Sequence, residues 1–192
     1  MRKIGFALLV LLLGGILLGQ TDDVLAQEVV GSPGSSVYAA VPPDESGILI
    51  ARAPDFPLKG DGVTDDTAAL HAAIAAAQKQ GRTTIFLPEG TYRVSDTIRL
   101  SKGFRLIGYG AKRPTLIVAQ NTPGWNGAEK KYVVRFDFQE GRRGNDTFYS
   151  GLVNVNIEIQ AGNPAGIGIF YEVAQGCLLQ DVDVRLADDN IG

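Results

Sequence analysis

One cysteine, one histidine and one tryptophan occur in the 192 residues. The lone Cys177 excludes an internal disulfide framework and any cysteine-cluster metal site. The lone His71 excludes a multi-histidine metal centre. Runs of like charge are missing too. Charged residues are 20% of the chain and the net charge is −3, so nothing matches the basic footprint of a nucleic-acid binder. The one long apolar run, Ile4 to Leu18, is about 15 residues, short for a ~30 Å hydrocarbon core.

That run has the form of an export signal. Arg2 and Lys3 precede it, and Val24-Leu25-Ala26 places small residues where a signal peptidase cuts. Residues 1–26 therefore read as a signal peptide, giving a secreted or extracytoplasmic protein (periplasm or cell surface) with no membrane attachment beyond that signal. Residues 27–52 contain Gly-Ser-Pro-Gly-Ser-Ser and Val-Pro-Pro-Asp and read as a flexible spacer, ending in an apolar patch at Ile48–Ile50 suited to a docking strand.

Glycine, by contrast, is abundant, at 24 residues. Gly60-Asp-Gly-Val-Thr-Asp-Asp-Thr67 leads into an alanine-rich segment that ends at Gly81. Alanine favours helix, Leu70, Ile74 and Ala77 fall on one face, Thr64 or Asp65 is placed to cap the start, and Gly81 the stop. After Gly81 come short β-branched runs: Thr84–Leu87, Thr91–Val94, Thr97–Leu100, Phe104–Ile107 and Thr115–Val118. Asn154–Ile159 and Asp181–Leu186 superimpose at an offset of 27 residues. Val155/Val182, Ile157/Val184 and Ile159/Leu186 would face inward, with Asn154/Asp181, Asn156/Asp183 and Glu158/Arg185 outward. An in-register match places such strands ~4.8 Å apart in a stacked solenoid.

Asp55 to Leu70, with its GDGVTDDT turn, resembles the opening of the pectate-lyase superfamily domain, and Gly81 to Val94, with Leu-Pro-Glu-Gly-Thr-Tyr, resembles the strand entering its first coil. Phe104-Arg-Leu-Ile-Gly-Tyr-Gly110 is similar to the next strand and turn. The resemblance, to rhamnogalacturonase- and polygalacturonase-like proteins, covers residues 53–192. It implies an all-β fold: a right-handed single-stranded parallel β-helix with an N-terminal capping α-helix over its exposed sheet edge. It also implies a polysaccharide partner, pectin-like or otherwise acidic, and either lyase or glycoside hydrolase chemistry. A β-helix that binds glycans or builds a surface without catalysis is the alternative. If the chemistry is that of a lyase, a Ca²⁺ ion or a cationic cluster would hold the uronate.

Hydrolysis needs two carboxyls, about 5.5 Å apart for retention or roughly 6.5–9.5 Å for inversion. Asp181 and Asp183, at i and i+2, would lie about 7 Å apart on one side of a strand. With Asn154, Asn156 and Glu158 they could line a sugar groove, although a solvated strand face is the reading these residues favour. Asp188 and Asp189 are similar to the Asp-Asp of polygalacturonases, but the Gly-His-Gly and Arg-x-Lys patterns found with it there are absent. These four aspartates are the catalytic candidates. No metal ligands or organic cofactor site are expected. Trp125 fits either stacking on a sugar ring or packing on the coil. His71 reads as a surface residue and Cys177 as a small buried hydrophobe, while Asn145-Asp-Thr147 matches a glycosylation sequon. Residues 83–192 hold about four coils of 27 with no second cap, which predicts a truncated chain with its catalytic coils further along, and self-association through the open C-terminal coil.

Overall fold

The computed structural model describes residue 36 and residues 48–51, 55–136 and 147–187. The proposed signal peptide, the sequon asparagine, Asp188 and Asp189 lie outside them. The chain forms β1 (Ile48–Ile50), β2 (Asp61–Asp65) and α1 (Thr67–Lys79). Three strands follow, β3 (Thr84–Pro88), β4 (Thr91–Arg93) and β5 (Ile98–Leu100), and then β6 (Arg105–Tyr109), β7 (Thr115–Val118) and β8 (Lys131–Phe136). A further turn holds β9 (Gly151–Val153), β10 (Asn156–Ile159) and β11 (Gly166–Phe170), and the last holds β12 (Leu178–Gln180) and β13 (Val184–Leu186).

Every strand pairing is parallel, and successive strands feed three sheets in rotation: β1-β3-β6-β9-β12, β2-β4-β7-β10-β13 and β5-β8-β11. This is a parallel β-helix, wound right-handed as connections between parallel strands are. The offset of 27 read from the sequence is the register observed, with Ile157 beside Val184 and Ile159 beside Leu186. It does not hold throughout. Thr84 pairs Arg105, 21 positions on, whereas Arg105 pairs Gly151, 46 positions on, because loops of very different length leave the corners.

Stacked apolar ladders fill the interior. Leu49, Ile85, Leu106 and Leu152 are register partners on the first sheet, and Tyr92, Leu116 and Ile157 on the second. All are buried in one core with Ile98, Leu100, Val134 and Phe136 of the third. The ladder members of the last turn are different: Leu179, Val184 and Leu186 are 41%, 44% and 39% exposed, because no described residue stacks over them.

The helix forms where alanine content predicts it, but its ends are built otherwise. Asp66 is the N-cap residue, and its carboxylate turns back to accept the Lys59 and Gly60 N–H groups rather than capping. Asp65 accepts the Thr67 N–H. At the other end Gly81, at φ +66°, donates to the Gln78 carbonyl while Arg82 donates to that of Ala77, which is a Schellman stop. The helix packs chiefly against β5, β3 and β1, standing on the third side of the first turn where later turns have a strand.

Asn154 departs from its expected outward position. It adopts a left-handed φ of 57°, is fully buried, and donates through Nδ2 to the Gly108 carbonyl at 2.7 Å. Asp181, its partner one turn later, has φ 54°, so both mark a corner rather than a strand.

Candidate functional site

Asp181 and Asp183 converge on one guanidinium. Arg113, whose side chain is only 8% exposed, reaches Asp181 at 3.5 Å and Asp183 at 3.2 Å. That geometry ties the β12–β13 corner to the β6–β7 corner and leaves both carboxylates engaged. Glu158, on β10, accepts from the Gln160 amide at 3.2 Å, and the groove beside it is lined also by Arg185. His71 is exposed, as expected, and bonds the Thr97 carbonyl through Nε2 at 2.9 Å. Cys177 is half-buried rather than buried and precedes β12. Its sulfur accepts the Ser150 N–H and donates to the Thr147 carbonyl, so it is a corner clip.

A different cluster has the chemistry of a binding site. Arg99 on β5 and Arg135 on β8 are register partners on adjacent parallel strands, and Phe170 on β11 is the next rung. Neighbouring strands are ~4.8 Å apart, so the two arginines stand one above the other on one sheet. The Arg135 guanidinium lies 5.0 Å from the Phe170 ring centroid, and the Tyr132 ring meets Phe170 edge-on at 5.1 Å. Lys130 and Lys131 add two more cations to an open groove of about 330 Å³, whose acidic members are Asp96 and Glu129.

The wall of the groove is the 119–130 corner, and Trp125 holds it. The indole is completely buried, donates from Nε1 to the Ser95 carbonyl at 2.9 Å, and lies 5.1 Å from the Lys131 ammonium. Packing, not sugar stacking, is therefore the role of Trp125. Asn163 completes the corner by accepting the Thr122 N–H and donating to the Ala119 carbonyl. Lys131 also pairs with Asp96 at 3.1 Å. Partial burial works against the Asp96 carboxylate, yet the Thr97 N–H, Lys131 and His71 outweigh it and hold its pKa below the ordinary value.

The sequence shows the two arginines but not their pairing. Ile98-Arg99-Leu100 and Val134-Arg135-Phe136 each set an arginine between apolar residues, but 36 positions apart, outside any 27-residue repeat. Among the described residues no three His, Cys, Asp or Glu side chains converge as a metal-ligand set. Asp181 and Asp183 are engaged with Arg113, and Asp96 with Lys131.

Residues 51–192 match the family model described as rhamnogalacturonase A/epimerase, pectate lyase-like. The mannuronan C5-epimerase AlgE2 of Azotobacter vinelandii is 61% identical over 119 residues, covering 58% of this chain and 11% of that protein. The non-secreted LysM effector LysM19 of Penicillium expansum is 31% identical over 144 residues, covering 69% of this chain and 11% of that protein. Among solved structures, the A-module of the Azotobacter vinelandii mannuronan C-5 epimerase AlgE6 superposes with a TM-score of 0.51 at 28% identity, over 71% of this chain and 37% of that one. The chain thus spans about a tenth of the length of these curated relatives.

Proposed function

Because the chain belongs to the rhamnogalacturonase A/epimerase, pectate lyase-like family, we propose that it is the N-terminal β-helical part of an exported protein acting on acidic polysaccharide, and that the Arg99–Arg135 groove binds uronate units. The observation that carries this reading is the stacked arginine pair beside Tyr132 and Phe170. A uronate offers a carboxylate to the guanidinium groups and an apolar sugar face to the rings. Similarity to a mannuronan C5-epimerase adds a chemical rationale. Epimerisation and lyase cleavage of a uronate both begin by removing the proton at C5, next to the carboxylate. Cations fixed on that carboxylate stabilise the charge that develops as the proton leaves. Return of a proton to the opposite face gives the epimer, and loss of the C4 oxygen substituent gives cleavage. Hydrolysis is less well supported, because Asp181 and Asp183 are both committed to Arg113.

The test is calorimetric titration of the chain with oligomers of mannuronate and galacturonate, and with a neutral β-glucan. Both uronates should bind, more weakly as salt rises, and the neutral glucan should not. Arg99→Ala and Arg135→Ala should each lower uronate affinity about tenfold or more, in line with the loss of a charge-assisted hydrogen bond. Unchanged affinity in a folded double variant would falsify the assignment.

Export belongs to the same proposal. With residues 1–26 as a signal, protein recovered from an exporting host should begin at or near Gln27. An intact Met1 on membrane-bound protein would establish an uncleaved anchor instead.

A further inference from the structure

The corner that precedes the first sheet carries an aromatic surface separate from the groove. Here three turns stack: Ser101–Phe104, Thr147–Ser150 and Ala174–Cys177. Gly103 N–H donates to the Phe148 carbonyl and to Ser150 Oγ, Ser150 Oγ to the Ser101 carbonyl, and Tyr149 N–H to the Gln175 carbonyl. Arg105 Nε donates to the Tyr149 carbonyl at 3.0 Å. The backbone at Tyr149 is thus fixed from the turns on both sides, and fixed in a left-handed conformation with φ 60°.

That conformation is costly for a residue with a side chain, and asparagine or glycine would serve the turn better. Burial does not compensate, because Tyr149 is 61% exposed. The residue over which its ring lies is Gly176, itself at φ +71°, where a Cβ would stand 2.5 Å from Tyr149 Cδ1. The adjacent Phe148 is half-buried, with its ring centroid 6.2 Å from that of Tyr149, and the Lys102 ammonium stands 5.6 Å from the Phe148 centroid. A strained backbone, tied by Arg105, and a glycine that makes room leave the Tyr149 ring largely in water, with the Lys102 ammonium over the neighbouring Phe148 ring.

We propose that Tyr149, with Phe148, Lys102 and Arg105, forms a second saccharide-docking surface for a uronate-bearing chain, displaced from the Arg99–Arg135 groove. An exposed aromatic face takes the apolar face of a pyranose ring, and Lys102 and Arg105 complement the carboxylates of an acidic chain. The choice of an acidic glycan rests on the proposed function of the groove, whereas the existence of the surface does not. A polymer long enough to reach both sites gains avidity over a short oligomer that occupies one.

The experiment uses the full chain with Tyr149→Gly and Tyr149→Trp. Glycine relieves the left-handed strain while removing the ring, so Tyr149→Gly should keep or raise the thermal midpoint. Its affinity for a long polyuronate should fall about tenfold, with trimer binding unchanged. Tyr149→Trp should retain long-chain binding. Arg135→Ala should instead weaken trimer and polymer together, so failure of the groove and failure of this surface give different patterns. As a direct readout, adding polyuronate to the Arg99→Ala/Arg135→Ala variant should shift the Gly103 and Gly176 amide resonances. Unaltered long-chain affinity in Tyr149→Gly, or a thermal midpoint that falls as it would for a structural tyrosine, would overturn the proposal.

Discussion

Trp125→Ala is expected to destabilise the protein by about 3–5 kcal/mol, the range for removing a fully buried aromatic side chain. The indole is completely buried among core residues, and its N–H satisfies the Ser95 carbonyl at 2.9 Å. Alanine leaves a cavity, removes the shorter of the two hydrogen bonds that carbonyl accepts (Lys131 Nζ supplies the other at 3.3 Å), and removes the ring beside Lys131. The same substitution should abolish uronate binding in the fraction that stays folded. The 119–130 corner is tied to the coil by the Trp125 backbone as well, whose carbonyl accepts the Ala165 N–H. Once the ring no longer fills its site, Lys130 and Lys131 lose their placement opposite Arg99 and Arg135. Trp125→Phe keeps a ring and loses the N–H, so its cost should be about 1–2 kcal/mol, with binding largely retained. Urea denaturation of the three proteins, with uronate titration of each, checks both parts. A midpoint for Trp125→Ala equal to that of Trp125→Phe would show that the indole is not what holds the corner.

Trp125 also marks where sequence reasoning stops. Its loop, Thr122-Pro-Gly-Trp-Asn-Gly, reads equally well as a display of an aromatic ring or as an anchor, because local residues do not specify what lies beneath. The partner that decides the matter is Ser95, 30 positions away. The parallel coil itself was legible for a local reason: Asn154–Ile159 and Asp181–Leu186 are one turn of the coil apart, and no long loop interrupts that turn, so the stacking register survives as a repeat in the chain. The groove was not legible, since Arg99 and Arg135 become neighbours only after the long corner between β7 and β8 has broken the period. Asp181 and Asp183 show how a distant partner enters a site. Two carboxylates two residues apart suggest acid–base chemistry, yet Arg113, 70 positions from Asp183, turns them into a tie between corners. The expected alternating strand starts at Asn154, two residues before β10, which places the Asn154 side chain wrongly. Its left-handed φ ends that alternation at the corner, where asparagine is among the few non-glycine residues that tolerate it.

That corner leads to the second large effect. Gly108→Ala is expected to lower stability by about 3 kcal/mol or more, at the upper end of overpacking costs, although it adds one methyl group. Gly108 lies in β6 beside Leu87, and Asn154 of the following turn closes over it. A Cβ at Gly108 would stand 2.1 Å from the Asn154 carbonyl oxygen and 2.5 Å from Pro114 Cδ. One obstacle is backbone and the other a rigid ring, so neither can rotate away. Relief requires β6 and the β9–β10 corner to separate, which stretches the 2.7 Å bond from Asn154 Nδ2 to the Gly108 carbonyl and opens the stack along the first sheet. For a domain of this size the thermal midpoint should drop by roughly 10 °C. Gly127→Ala supplies the control. That glycine, in the 119–130 corner, has nothing within 4 Å of an added Cβ and no left-handed φ, so its stability should stay within about 0.5 kcal/mol of the parent's. Calorimetric scans of the two variants separate a steric requirement of the stack from a general intolerance of alanine. Equal midpoints would mean that the close approach of Asn154 to Gly108 does not limit how tightly successive turns can pack.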